Sequence, residues 1–270
     1  MPHRYASMPA WPAGLPPLVE EAPLAGGWVA DTRRGRLADG RDVVVKRSPY
    51  PADAEADGLR ALAAAGVPVP EVIGLADCLL VLEYVSGEPD WSGVGRAVAR
   101  MHRTTGPAFG WSRNNHAGRF VQENGWLDHW GTFYAERRVR AHVRDPSVPE
   151  AIRRRLSRAC DGPLPELLPA TPTPSLTHGD LSAGNVVDGR WLVDPEVSYA
   201  DRELDLAFMQ MTGSLPPEFW AAYEREWPFD AGYELRRPAL QLHHLLLQLR
   251  HFDPDTYRPR IEAVLDNYGW

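Results

Sequence analysis

Residues 178–195 read HGDLSAGNVVDGRWLVDP, a segment in which polar side chains flank two short apolar runs. The dipeptide Asp188-Gly189 separates those runs, and it is typical of a two-residue turn between antiparallel strands. Counting outward from this turn pairs Val187 with Arg190. We therefore predict a small β-hairpin in a part of the chain whose other segments have helical patterns.

The polar residues of this segment converge at the open end of the predicted hairpin. Continuing the same pairing places Asn185 opposite Leu192, and Asp194 follows within about two residues across the ladder. Asp180 lies in the loop that leads to the same end. Two side-chain oxygen ligands with a third carboxylate nearby suit a Mg²⁺ ion whose coordination water and substrate phosphates complete. The pattern favours phosphoryl transfer, which needs a metal, a cation for the phosphates and a group that orients the attacking hydroxyl.

A second hairpin is predicted near the N-terminus. A strand that begins at Leu24 and continues to Leu37 is followed by the turn Asp39-Gly40 and by an apolar strand that ends at Lys46. A two-residue turn places Lys46 opposite Arg33, close to Gly26-Gly27.

Lys46 is the only lysine among the 29 basic residues of the chain. An ammonium is a compact point charge that fits between phosphates, whereas the wide planar guanidinium of arginine does not. Glu55, on a helix predicted over residues 52–65, is the carboxylate best placed to orient this lysine. The alternative is that Lys46 survived by chance in an arginine-rich composition.

The remaining pattern suggests two regions. Leu79 to Tyr84 is predicted as a buried strand, and residues 86–89 have the composition of a linker. Helices are predicted over residues 94–102, 127–143, 150–159 and 218–268, with a proline-rich loop over residues 163–174.

Composition excludes several classes of protein. The 270 residues carry a net charge of −7 without a long basic run, which argues against nucleic acid as a partner. No apolar run approaches the roughly 20 residues that span a bilayer, and the proline-rich N-terminus lacks the apolar core of a signal peptide. Cys78 and Cys160 are far apart and are expected to be reduced thiols. We expect a cytoplasmic monomer without membrane contacts.

The motif His178-Gly179-Asp180, followed by Asn185 and Asp194, resembles the catalytic core of the aminoglycoside phosphotransferase and choline kinase group in the protein-kinase-like superfamily. The resemblance implies an α+β, two-lobed fold with a β-rich N-lobe and a mainly helical C-lobe. The ATP-binding lobe would comprise residues 1–85, and the catalytic and acceptor-binding lobe residues 86–270.

The same resemblance implies a role for each motif position. Asp180 corresponds to the catalytic base, Asn185 and Asp194 to metal ligands, and His178 and Asp205 to groups that support the catalytic loop. The implied ATP-binding residues are Gly26, Gly27, Lys46, Glu55, Glu83, Tyr84 and Val85. His178 could also be an ordinary structural histidine, and Asp205 could instead contact substrate.

A narrower resemblance points to the fructosamine kinase, or ketosamine kinase, family. It rests on three further motifs, namely residues 114–118, residues 130–138 and residues 194–207. It implies ATP- and Mg²⁺-dependent phosphorylation of the 3-hydroxyl of a ketosamine, which releases the sugar from a glycated amine. Asn115 and His116 would then contact the acceptor, although both could be ordinary loop residues. The family usually has tryptophan at the position of Ser182, so a stacking surface for the sugar is missing here.

Two other functions remain open at this point. An aminoglycoside or choline type of phosphotransferase would use the same catalytic residues. A degenerate kinase that only binds nucleotide or a partner would not need a base. The complete set of Lys46, Glu55, Asp180, Asn185 and Asp194 argues against this alternative.

Overall fold

The computed structural model describes residues 10–24 and 29–270, so the predicted glycine turn at Gly26-Gly27 lies outside the described residues. An antiparallel sheet with one packed helix forms the N-terminal region, and helices dominate the remainder. The sheet has the strand order β1-β2-β3-β5-β4. Its elements are β1 (Leu18–Pro23), β2 (Asp31–Leu37), β3 (Asp42–Arg47), α1 (Asp53–Ala64), β4 (Val72–Ala76) and β5 (Leu79–Glu83).

The hairpin of β2 and β3 forms as predicted but with a different register. Lys46 pairs with Thr32, one residue away from the predicted partner Arg33. The Leu37 N–H donates to the Arg41 carbonyl at 2.9 Å, so the loop contains one residue more than a two-residue turn. Gly40 has a φ of +89°, a conformation that glycine adopts without a steric penalty.

The start of this strand also differs from the prediction. The chain was expected to enter the strand at Leu24, whereas β2 begins at Asp31. The preceding residues, Leu18–Pro23, form the separate strand β1 at the end of the proline-rich N-terminal segment, where no strand was predicted. Pro23 is tolerated there because β1 lies at the edge of the sheet, where a missing N–H breaks no inner ladder.

Strand β5 is buried on both faces, which explains its continuous apolar run. Leu79 and Val81 belong to the cluster on one side of the sheet, which Trp11 and Leu15 cover. Leu80 and Leu82 pack on the other side against residues of α1. Burial of these aliphatic side chains fixes α1 against the sheet, and each contributes about 1.5–3 kcal/mol. Glu55 on α1 and Lys46 on β3 are thereby held at a constant separation.

The C-terminal region contains nine α-helices among the described residues and three small two-stranded sheets. The helices are α2 (Trp91–His102), α3 (Trp130–Phe133), α4 (Arg140–Val143), α5 (Glu150–Cys160), α6 (Pro163–Leu167), α7 (Glu203–Thr212), α8 (Pro217–Glu226), α9 (Tyr233–His251) and α10 (Pro254–Tyr268). The strands are β6 (Asn115–Ala117), β7 (Phe120–Gln122), β8 (Ser175–Thr177), β9 (Val186–Val187), β10 (Trp191–Leu192) and β11 (Ser198–Ala200).

Two helical features differ from the predicted pattern. The helix predicted over residues 127–143 contains a π-helical segment, Tyr134–Val139, between α3 and α4. The proline-rich segment after residue 162, predicted as a loop, begins with the short helix α6. Proline is tolerated at the first position of a helix, because the N–H that proline lacks would have no hydrogen-bond partner within the helix at that position.

Residues 84–90, between β5 and α2, form neither helix nor strand. The Asp90 side chain then caps α2 by accepting a hydrogen bond of 2.7 Å from the Gly93 N–H. The expected boundary between residues 85 and 86 lies in this connection. None of the helices in residues 10–24 and 29–270 is long and apolar enough to cross a bilayer.

Candidate active site

Lys46, Glu55 and Asp194 meet in the cleft between the sheet and the helical region. The Lys46 Nζ lies 2.5 Å from the Glu55 Oε1, and it also contacts the Asp194 carboxylate. Burial disfavours the lysine charge, but the two carboxylates outweigh burial and raise the Lys46 pKa above its ordinary value. Burial likewise opposes ionisation of Asp194, and Lys46 outweighs it, so the Asp194 pKa is lowered. The predicted Lys46–Glu55 pair therefore forms, and it includes a third member from the distant hairpin.

The hairpin of β9 and β10 brings Asn185 beside Asp194. The turn at Asp188-Gly189 is present, with φ values of 51° and 62°, and the Arg190 N–H donates to the Val187 carbonyl at 3.0 Å. Beyond the turn, however, Val187 pairs with Trp191 instead of Arg190, a shift of one residue from the prediction.

This shift places Asn185 opposite Val193, whose N–H donates to the Asn185 carbonyl at 3.0 Å. Asp194 follows directly and has a φ of 56°, a left-handed conformation that is uncommon for a residue other than glycine. The hairpin therefore holds Asp194 in a specific orientation towards Lys46.

Asn185 also contacts the predicted base. Its Nδ2 donates to the Asp180 backbone carbonyl at 2.7 Å and to the Asp180 Oδ2 at 2.9 Å. Burial, together with the charges of Asp194 and Asp205, raises the Asp180 pKa to about 7, although the Asn185 hydrogen bond opposes the shift. A pKa near neutrality suits a group that must accept a proton under physiological conditions.

Only the amide oxygen of the Asn185 side chain is suited to bind a divalent cation. Because Nδ2 is committed to Asp180, the amide oxygen is left without a hydrogen bond to any described residue. That oxygen and the Asp194 carboxylate are hard donors of the kind that Mg²⁺ prefers. Across the described part of the chain, no group of three or more His, Cys, Asp and Glu residues could hold a metal. A site here would need ligands from a bound substrate, as expected for magnesium on nucleotide phosphates.

His178 and Asp205 lie behind the catalytic loop. Asp205 is fully buried and accepts hydrogen bonds from the backbone N–H groups of His178, at 2.7 Å, and Gly179, at 2.9 Å. The His178 Nδ1 accepts from the Asp180 N–H at 3.3 Å, while its Nε2 donates to the Val193 carbonyl at 3.1 Å. The two side chains therefore connect the loop that carries Asp180 to α7 and to the residue before Asp194.

Gly179 is required by a close approach within this loop. Its φ is +87°, and a Cβ atom there would lie 2.4 Å from the Glu196 carbonyl oxygen. The loop and the chain that follows Asp194 are thus packed backbone to backbone. Any side chain at this position would push the two apart.

The residues predicted to meet adenine lie away from this centre. Glu83 ends β5, and Tyr84 and Val85 begin the connection to α2. The Tyr84 ring stacks beneath the Arg34 guanidinium at 4.1 Å. None of these three residues lines the cleft that contains Lys46 and Asp180.

That cleft has a volume of about 610 Å³ and is lined by residues of both regions, including the three predicted acceptor residues. Asn115 is buried, its Nδ2 donates to the Val197 carbonyl, and its Oδ1 accepts from Asn124. His116 stacks on Tyr50 with a ring separation of 4.4 Å and an interplanar angle of 13°. Ser182 lies at the cleft wall. His116 and Ser182 therefore have side chains better placed for a ligand than Asn115.

Glu196 and His244 line the cleft but were not among the predicted site residues. Burial and the charge of Asp180 raise the Glu196 pKa well above its ordinary value. The His244 Nε2 donates to the Gly179 carbonyl at 3.0 Å, and burial lowers the His244 pKa to about 4. Glu196 could have been noticed because it follows Asp194 by two residues. Nothing local identifies His244, which is brought to the loop only when α9 packs against α7.

The sheet, the helical region and the cleft between them define a protein-kinase-like fold. A crystal structure from Thermobifida fusca assigned as a fructosamine-3-kinase is similar, with a TM-score of 0.84, 28% identity and coverage of 95% of each chain. Amicoumacin kinase shares the fold at 16% identity, with a TM-score of 0.61 and coverage of 91% of this chain and 88% of that one. The expected fold class is confirmed.

The profile of the fructosamine kinase family matches residues 21–268, and the chain belongs to that family. A protein of Enterococcus faecium named as a probable ketoamine kinase is 33% identical over 232 residues, which cover 80% of this chain and 82% of that protein. The chain is therefore an ATP-dependent phosphotransferase with an alcohol group as acceptor, as the sequence predicted.

Proposed function

We propose that this protein transfers the γ-phosphoryl group of ATP to the 3-hydroxyl of a ketosamine of the fructosamine or ribulosamine type. The observation that carries the proposal is the convergence of Asp180, Asn185, Asp194 and Lys46 in one cleft that also has room for a sugar. Phosphorylation would make the sugar adduct unstable, so that the amine is released unmodified.

Asn185 and Asp194 would hold a Mg²⁺ ion on the nucleotide phosphates. The free amide oxygen of Asn185 and the ionised carboxylate of Asp194 support this assignment. When bound, the ion would neutralise phosphate charge during transfer. Lys46 would contact the α- and β-phosphates, with Glu55 keeping its ammonium in position.

Asp180 would orient the acceptor hydroxyl and accept its proton as transfer proceeds. The hydroxyl oxygen forms a bond to the γ-phosphorus, the bond from that phosphorus to the bridging oxygen breaks, and its electron pair leaves with ADP. The raised pKa of Asp180 supports the role of proton acceptor, because the protonated product is then stable near neutral pH. Asn185 would hold the carboxylate through the hydrogen bond of 2.9 Å.

Each of the two regions would bind one of the two substrates. ATP would bind to the lobe formed by residues 1–85, where Glu83, Tyr84 and Val85 would meet adenine at the connection between lobes. The acceptor would bind on residues 86–270, near His116 and Ser182, which line the cleft from that side.

A coupled assay of ADP release with fructosamine and ribulosamine substrates tests the proposal. The Asp180→Asn protein should lose about 10²–10⁴-fold in kcat, the usual contribution of general base catalysis. Asp188→Asn is a matched control, because Asp188 lies in the turn of the same hairpin and its carboxylate accepts a hydrogen bond of 3.2 Å from the Gly87 N–H, away from Asp180 and Lys46. This control should keep the wild-type rate. Equal turnover by the Asp180→Asn and wild-type proteins, or activity on choline or aminoglycosides but on no ketosamine, would contradict the proposal.

A further inference from the structure

A carboxylate outside the predicted machinery faces the acceptor side of the cleft. Glu196 follows Asp194 by two residues, and its backbone is held by the hydrogen bond of 2.8 Å from its N–H to the His178 carbonyl. Its Oε2 accepts a hydrogen bond of 2.8 Å from the Gln122 Nε2, on the β6–β7 hairpin. The side chain is therefore fixed from both ends while it lines the cleft together with Asp180.

The charges around Glu196 are mostly negative. The negative charges of Asp180 and Asp194 disfavour ionisation of Glu196, and the positive charge of Arg138 favours it. The Arg138 guanidinium, however, is buried and donates to the Asn124 Oδ1 at 2.7 Å and to the Ser198 Oγ at 3.2 Å, and Arg138 does not line the cleft. Within the described residues Glu196 forms no ion pair with Lys, Arg or His.

The histidines of the cleft do not balance this negative charge. His116, His244 and His251 line it, and burial lowers the pKa of each. All three imidazoles are therefore neutral near pH 7. The acceptor side of the cleft thus places the carboxyl groups of Asp180 and Glu196 among uncharged histidines, where a bound cation would favour their ionised forms and an anion or a neutral molecule would not.

We propose that Glu196 binds the protonated amine of the acceptor and thereby selects cationic ketosamines over neutral sugars. The inference rests on the proposed function, since it assigns the part of the acceptor that is not phosphorylated. In a ketosamine, only three carbon atoms separate the amine from the 3-hydroxyl. A hydroxyl at Asp180 and an amine at Glu196 can therefore belong to one small molecule.

A purely structural role for Glu196 makes a different prediction. The Gln122 amide needs only a hydrogen-bond acceptor, and the amide oxygen of glutamine would supply one. Glu196→Gln would then leave the β6–β7 hairpin and the acceptor preference unchanged. If the charge is what matters, the same variant keeps the hairpin but loses the preference.

The experiment compares two acceptors that differ only at the amine. One is a fructosamine of a simple alkylamine, and the other is the ether in which oxygen replaces the nitrogen. For the wild-type protein, kcat/KM should be higher for the amine. In Glu196→Gln, kcat/KM for the amine should fall about 10–100-fold, which is the usual contribution of a hydrogen bond to a charged group. For the ether, which carries no charge, kcat/KM should fall less than twofold.

Glu123→Gln is the matched control, because Glu123 is 65% exposed, pairs with Arg137 and precedes Asn124 on the outer side of the same segment. It should leave both acceptors unaffected. Equal losses on amine and ether in Glu196→Gln, or no loss on either, would overturn the inference.

Failure of the proposed function would look different. In that case the wild-type protein would phosphorylate neither compound. Calorimetric binding of the same amine and ether to the wild-type and Glu196→Gln proteins, each saturated with a non-hydrolysable ATP analogue, would then decide the inference. Tighter binding of the amine to wild type alone supports it, and equal affinities for both compounds contradict it.

Discussion

The ammonium of Lys46, the only lysine of the chain, lies 2.5 Å from the carboxylate of Glu55 on α1. The pair links the central strand β3 to the helix that packs on it, and it points towards Asp194 on the catalytic hairpin. One side chain therefore connects the sheet, the packed helix and the helical region at the position expected for nucleotide phosphates.

Substitution of this lysine by arginine should preserve the fold and remove the activity. In Lys46→Arg the charge remains, but the guanidinium is too wide to reach between phosphates while still contacting Glu55. We expect kcat/KM for ATP to fall by at least about 100-fold, a typical cost of removing one group that stabilises transferred charge. Steady-state kinetics and the melting temperature are the measurements. Arg47→Lys, the reverse substitution at the next residue, is the control and should retain wild-type kinetics. A fully active Lys46→Arg protein would mean that the lone lysine is an accident of composition.

Removal of the Asn185 side chain should change the requirement for magnesium. Asn185→Ala eliminates one of the two proposed protein ligands. Loss of a residue that only supports a ligand already weakens metal affinity about 10–100-fold, so we expect at least that effect here. The Mg²⁺ concentration for half-maximal activity should rise accordingly at constant ATP. Ser214→Ala serves as the control, because Ser214 accepts a hydrogen bond of 3.0 Å from the Ala183 N–H in the same loop without contributing a ligand. An unchanged magnesium dependence in Asn185→Ala would exclude Asn185 as a ligand.

Asp205 should matter for stability as well as for catalysis. Asp205→Asn weakens charged hydrogen bonds to the N–H groups of His178 and Gly179, and it disturbs the contact with the His102 Nε2 at 3.2 Å. We expect the free energy of unfolding to fall by about 2–3 kcal/mol, since hydrogen bonds to charged groups contribute about 1.5–3 kcal/mol. Chemical denaturation measures this change. Asp266→Asn, at a 70% exposed side chain paired with Arg155, should change stability by less than about 1 kcal/mol. Similar small losses in both variants would contradict a supporting role for Asp205.

The buried histidines of the C-terminal region should make stability depend on pH. Burial and the charge of Arg250 lower the His142 pKa to about 3, and the His142 Nδ1 accepts a hydrogen bond of 2.9 Å from Arg250. The unfolded histidine has a pKa near 6.5, so between about pH 6.5 and pH 3 the unfolded state binds the extra proton. This contribution to stability is complete above pH 6.5 and is lost as the pH falls.

The His142→Gln protein isolates that contribution from those of the buried acids. The difference in unfolding free energy between the wild-type and His142→Gln proteins should shrink by up to about 1.4 kcal/mol per pH unit as the pH falls below 6.5. Denaturation curves at several pH values measure the difference. A difference that stays constant from pH 7 to pH 4 would contradict the assignment of a buried neutral imidazole.

Much of the chemistry could be predicted from local patterns. The turns at Asp39-Gly40 and Asp188-Gly189 identified both hairpins, because φ values above zero are accessible mainly to such residues. Their registers were each wrong by one residue, since an added residue in the loop or ladder depends on how the strands pack. The hypothesis that Lys46 pairs with Glu55 needed only the spacing between a strand and the next helix.

The sequence by itself determined the family, the kinase-like fold and the residues proposed for phosphoryl transfer, because those depend on short motifs whose conformation is local. Only the tertiary structure decided what surrounds them. It brought Gln122 to Glu196 and His244 to Gly179, across separations of 74 and 65 residues. Such contacts arise when helices and hairpins bury their apolar faces together, and no local pattern specifies which distant polar side chain then meets the cleft.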